Sequence, residues 1–152
     1  YEQQGFVRCL PFKNHITIKD IKITAFQVKH GEQIVFIYVF EQKDRKLIYA
    51  PCDVKPFPED RNAVQNADLL LIQPGIFETG LPFHFNFPQD HFSRSTLYTF
   101  EQTLELSKRI KACSTIMVHV EEYWGRSYDD YRKPEKDYEK VRFAYDGMRI
   151  KL

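Results

Sequence analysis

The sequence predicts an α/β layer architecture with a mixed sheet and flanking helices, and three observations predict it. The first half consists of β-branched and aromatic runs separated by short polar breaks, the pattern of an antiparallel meander. Midway, "ADLLLIQ" (67–73) is a short continuous apolar run, as a strand buried on both faces requires. An amphipathic helix then leads into a second such run, "STIMVHV" (114–120), and helix followed by buried strand indicates layers rather than an all-β barrel.

Each element has its own signal. Strands are predicted at "GFVRCL" (5–10), "IKDIKITAFQV" (18–28), "EQIVFIYVFE" (32–41) and "KLIYA" (46–50), with breaks at "KHGE" (29–32) and "QKDRK" (42–46). The proline- and glycine-bearing stretch 74–98 reads as a long irregular loop, a length more often functional than incidental. In "TFEQTLELSKRIKA" Thr99 and Gln102 have the spacing of a capping box. Phe100, Leu104, Ile110 and either Thr103 or Leu106 mark the apolar face. Lys108, Arg109 and Lys111 suit the C-terminal end of the helix dipole. Ser127 with Asp130 starts a second helix that Pro134 should kink or restart. The ending "VRFAYDGMRIKL" reads as a hairpin turning at Asp146–Gly147. No internal repeat or linker divides the 152 residues, so one domain is expected.

Charge and cysteines narrow the function. With 22 basic and 21 acidic residues the net charge is +1, which gives no support for a nucleic-acid or anionic-membrane surface. No apolar run approaches a membrane span, and no signal peptide is visible. Cys9, Cys52 and Cys113 are an odd, widely spaced set, which fits a reducing cytoplasm better than a disulfide framework. Cys113, between a helix and a strand, is expected to be a small buried hydrophobe.

The ionisable residues at strand ends carry the chemistry. His30 follows one predicted strand and precedes Gly31, Asp53 follows "KLIYA", and His119 lies near the end of "STIMVH" with Glu121 and Glu122 beyond it. Ligands collect outside strand ends in open α/β sheets, and imidazole with carboxylate is a donor set for borderline divalent metals. Taken singly, a strand-end histidine is more often solvated or hydrogen-bonded, and Asp53 equally fits a turn-capping role before "VKPF".

Taken together, "LIYAPCDVKPFPE", "TIMVHVEEYWGRSYDDY" and "FAYDGMRI" resemble the C-terminal half of a metallo-β-lactamase-fold hydrolase. The branch they resemble most contains the phosphoribosyl cyclic phosphodiesterase of phosphonate breakdown. A more distant likeness is to the endonucleases that trim tRNA 3′ ends. The resemblance implies an αβ/βα sandwich and a centre of two divalent metals, zinc or manganese. It implies His30 and His119 as metal ligands and Asp53 as the carboxylate between the metals. It also implies His91 as the acid toward the leaving oxygen, with His84 in "PFHFNF" as the competing position. Arg94 either helps neutralise a phosphate or is an exposed surface arginine, the second being the more common case. Cys52 is expected to be a neighbour in the turn rather than a ligand.

The family signature H-x-H-x-D-H occurs nowhere in the sequence, and the one other histidine is His15. The chain is therefore expected to be the C-terminal part of such a hydrolase, completed by an N-terminal half, a separate subunit or a homo-oligomer. The expected function is metal-dependent hydrolysis of a small phosphodiester or ester. The alternative is a non-catalytic interaction domain using the aromatic-rich loop 74–98.

Overall fold

The computed structural model describes residues 15–78, 87–121 and 125–152. Four strands come first: β1 (His15–Ile18), β2 (Ile21–His30), β3 (Gln33–Gln42) and β4 (Arg45–Ala50). They form an antiparallel meander with registers Ile18↔Ile21, His30↔Gln33 and Gln42↔Arg45. Every turn between them therefore has two residues, and the first of each pair is left-handed: Lys19 (φ 56°), Gly31 (φ 61°) and Lys43 (φ 54°). The run 18–28, predicted as one strand, is cut at Lys19–Asp20 for this reason. A turn without glycine or proline gives little sequence signal. The predicted strand 5–10, with Cys9, lies outside the described residues.

The chain direction then changes. Strands β5 (Leu69–Ile72), β6 (Thr115–Met117) and β7 (Val141–Phe143) add in parallel to β4, so the described strands form one seven-stranded mixed sheet in chain order. Asp68 sets the β4–β5 register: its carboxylate accepts from the Lys46 amide at 2.8 Å while its own amide donates to the Lys46 carbonyl at 2.9 Å. The predicted C-terminal hairpin does not form, because β7 pairs in parallel with β6. A turn does occur at Asp146–Gly147, with the Met148 amide bonded to the Tyr145 carbonyl at 3.0 Å. A type I′ turn needs both central residues left-handed, and of the two only Gly147 is.

Three helices complete the described chain: α1 (Ser93–Thr96), α2 (Phe100–Arg109) and α3 (Tyr128–Glu135). The short α1 lies in the stretch predicted to be irregular. Both predicted capping boxes are formed, Thr99 with Gln102 on α2 and Ser127 with Asp130 on α3. The α3 helix runs one residue past Pro134 and stops, and no helix restarts after it among the described residues. On α2, Phe100, Thr103, Leu104, Leu106 and Ser107 are all buried, so Thr103 and Leu106 both belong to the packed face. They close over Ile37, Ile48, Leu70, Ile72, Met117 and Phe143 of the sheet. Cys113 is exposed, contrary to expectation. Its amide is tied to the Ala67 carbonyl at 2.8 Å, which leaves the side chain facing solvent.

Helix α2 ends in a Schellman pair, Ala112 amide to Ser107 carbonyl and Lys111 amide to Lys108 carbonyl, both at 3.0 Å. Lys111 holds the left-handed position (φ 56°) that glycine usually takes. Relief of about 1–2 kcal/mol of steric strain exceeds the roughly 0.4–1 kcal/mol that glycine adds in unfolded-chain entropy. Lys111→Gly is therefore expected to raise the melting temperature by a few degrees. An unchanged or lower value in a thermal melt would contradict the assignment.

The other side of the sheet is less covered. Ile21, Phe40, Leu47, Tyr49 and Leu71 line an apolar cleft of about 400 Å³ that the C-terminal Leu152 also reaches. No described helix is long and apolar enough to cross a membrane.

Candidate metal and catalytic site

Topology decides which residues meet. Because β2, β4, β5 and β6 run in one direction, their C-terminal ends lie along one edge of the sheet. His30 ends β2, Asp53 lies three residues past β4, Gln73 follows β5 directly and His119 lies two residues past β6. Asp53 (φ 48°) and His119 (φ 55°) are both left-handed, and each turns its segment away from the ladder just beyond the strand. For this reason the run predicted as strand 114–120 pairs only over 115–117.

Every polar group of Asp53 has a partner. Its carbonyl meets His30 Nε2 at 2.7 Å, and its amide donates to Gln73 Oε1 at 3.4 Å. Carboxylate Oδ1 accepts from the Thr96 hydroxyl at 2.9 Å, and Oδ2 accepts from the Cys52 thiol at 3.0 Å. His119 adds a second tether to the loop, with Nδ1 3.3 Å from the Pro51 carbonyl. Its Nε2 lies 3.3 Å from Glu121 Oε1, and the same oxygen accepts from Gln73 Nε2 at 3.4 Å. His30, Asp53 and His119 thus converge on the single turn 51–53.

Their chemistry fits a metal in part. A carboxylate and imidazoles are the right donor types, but among the described residues no three His, Cys, Asp or Glu side chains gather around one point. Asp53 keeps lone pairs open beyond its two donors, so a cation placed here would need further donors from outside the described residues.

Burial, the hydrogen bond to Asp53, and the charges of Asp53 and Glu121 push the Cys52 thiol up to about 12. Its share of stability is present below the ordinary thiol value of 9.0 and is lost as pH rises from there toward 12. At pH 8 Cys52 holds essentially no thiolate, which is the reactive form. Iodoacetamide is expected to modify exposed Cys113 and to spare Cys52 until the protein is unfolded. Peptide mass mapping reads this, and equal labelling of the two in the native protein would contradict it.

The predicted acid, His91, connects to this cluster along the chain through α1. His91 packs between Phe87 and Phe92, each with its ring centroid at 4.7 Å, and Nδ1 accepts the Ser93 amide at 3.3 Å. It precedes α1, whose last residue, Thr96, touches Asp53. His84 and Glu122 lie outside the described residues. Arg94 is not the exposed surface residue expected: its side chain is 15% exposed, ion-paired to Glu78 and bonded to the carbonyls of Phe87 (2.6 Å) and Pro88 (2.8 Å). That pairing holds the Glu78 carboxyl below the usual carboxylate range. The arginine therefore fastens the loop onto α1.

Sequence reasoning missed Thr96 and Gln73. Thr96 gives no local signal, being 43 residues from its partner. Gln73 does give one, as a polar residue ending an otherwise apolar run.

Residues 2–120 match the family described as the beta-lactamase superfamily domain. No curated protein matches the sequence. Among solved structures, a diphosphatase from the PhnP family is 15% identical with a TM-score of 0.64, over 91% of this chain and 46% of that one. The metallo-beta-lactamase fold protein YhfI from Bacillus subtilis is 17% identical with a TM-score of 0.58, over 97% and 60%. Zn(2+)-bound PqqB from Methylobacterium extorquens is 13% identical with a TM-score of 0.63, over 95% and 55%. These likenesses show the fold, and the chain spans about half the length of each structure.

Proposed function

The chain belongs to the β-lactamase superfamily, and on that premise we propose that it carries part of the metal site of a metal-dependent hydrolase acting on phosphodiesters. The fixing of Asp53 at all four of its polar positions carries this reading. A turn-capping aspartate needs one or two such bonds, whereas a carboxylate meant to meet a cation must be held in place beforehand. Asp53 and His119 are the proposed donors, with His30 a third ligand or the anchor of the Asp53 carbonyl. The bound metal, zinc or manganese, would supply an activated water.

The chain's own residues do the rest. Thr96 and Cys52 orient the two carboxylate oxygens. Because His91 Nδ1 accepts the Ser93 amide, its neutral form carries the proton on Nε2. That is the atom proposed to protonate the departing oxygen. The phosphodiester class and the cyclic phosphodiesterase branch rest on the sequence resemblance; the diphosphatase among the structural neighbours shares the fold and, by its name, acts on a phosphoanhydride.

Bis(p-nitrophenyl) phosphate with added zinc or manganese tests the proposal. Metal-dependent release of p-nitrophenol is expected, with Asp53→Asn removing it; His91→Ala is expected to lower kcat by about 10²–10⁴-fold on an alkyl phosphodiester, whose departing oxygen needs a proton, and far less on the nitrophenyl ester. The absence of turnover with either metal would overturn the phosphodiester reading.

A second reading rests on a different observation. The apolar cleft over β2, β3, β4 and β5 suits an interaction domain, since monomers seldom expose large apolar patches. Sedimentation as a monomer across the micromolar range would count against self-association through that face.

A further inference from the structure

We infer that Gln73 is a positioning residue that fixes the spacing between Asp53 and His119. The metal consequence rests on the function proposed above, but the hydrogen bonding does not. Gln73 is 6% exposed, one of the few buried polar side chains described. A buried carboxamide needs partners for both its ends. Here its Oε1 takes the Asp53 amide and its Nε2 gives to Glu121 Oε1, both at 3.4 Å. The reverse orientation would set NH₂ against N–H and carbonyl against carboxylate, so the two neighbours dictate which way the amide points.

The consequence is mechanical. Asp53 sits on the turn after β4, and His119 on the turn after β6, with β5 between them. Gln73 begins the segment after β5 and reaches both sides. Toward β4 it holds the backbone of Asp53. Toward β6 it holds Glu121, the carboxylate beside His119 Nε2. Glutamate would keep the acceptor but lose the donor and set a second carboxylate against Glu121. Methionine, of similar length, would lose both. Only an amide of this length serves the two turns at once.

The test uses Gln73→Met and Glu121→Ala, each first shown to be folded by thermal melt. In metal-free protein, amide hydrogen exchange at Asp53 is expected to speed up several-fold in Gln73→Met, the worth of one hydrogen bond, and to stay near wild type in Glu121→Ala, which leaves the bond to the Asp53 amide in place. Zinc affinity, measured calorimetrically, is expected to fall about 10–100-fold in both variants, because both lose the arm between Gln73 and Glu121. Lost affinity with retained exchange protection in Glu121→Ala is a split that simple loss of packing would not give. Unchanged Asp53 exchange in Gln73→Met would overturn the inference, as would unchanged zinc affinity in both variants. If the wild-type protein binds no zinc, the proposed function fails, and the exchange result alone still decides the role of Gln73.

Discussion

Gly75→Ala is expected to destabilise the protein by on the order of 3 kcal/mol or more, through backbone strain and a lost backbone bond. Gly75 is left-handed (φ 84°), and a Cβ there would stand 2.2 Å from the Tyr98 carbonyl oxygen and 2.9 Å from its carbon. That oxygen cannot retreat freely, because it accepts the Ile76 amide at 2.8 Å. The Ile76 carbonyl in turn takes the Phe100 amide at 2.8 Å, at the first residue of α2. The clash would thus loosen the segment after β5 and the start of the helix together. Gly31 supplies the control. It is also left-handed (φ 61°), but nothing lies within 4 Å of an added Cβ. Gly31→Ala should therefore cost only the left-handed strain of about 1–2 kcal/mol, less the roughly 0.4–1 kcal/mol that removing glycine recovers in the unfolded chain. Chemical denaturation of the two variants measures the difference, and equal losses would contradict the close-approach account.

Phe143→Ala is the second large effect, at about 3–5 kcal/mol. Phe143 is 1% exposed and sits in a group of aromatic rings, with centroids 5.0 Å from Tyr131, 6.0 Å from Phe100 and 6.4 Å from Phe77. It joins the edge strand β7 to both long helices, since Phe100 opens α2 and Tyr131 lies on α3. Deleting the ring leaves a cavity bounded by stiff neighbours that can close it only in part. Against a typical total of about 5–15 kcal/mol, such a loss takes a large share of the fold's stability. Urea unfolding measures it. A cost near that of an exposed aromatic would mean that β7 and α3 are not packed as described.

The legible parts of the fold were those written in short range. The capping boxes at Thr99 and Ser127 need only residues three apart, and both form with both bonds. The apolar runs at 67–73 and 114–120 marked the buried parallel strands, although His119 shortens the second. Less legible were features decided by distant partners. Whether the C-terminal segment folds back or joins β6 depends on Ile116 and Met117, which pair with Arg142 and Phe143. Local turn residues carry none of that information. The candidate site divides in the same way. His30, Asp53 and His119 were visible as polar residues at strand ends, and the structure brings all three to the turn 51–53. The Thr96 hydroxyl on Asp53, across 43 residues, was not visible.

The metal role proposed for Asp53 is best tested by calorimetric titration of zinc into the purified metal-free protein and into Asp53→Asn, which keeps size and shape but removes the charge. Saturable zinc binding by the wild type, lost in Asp53→Asn while the melting temperature holds, is the predicted result. Equal binding by both proteins, or none by the wild type, would contradict it.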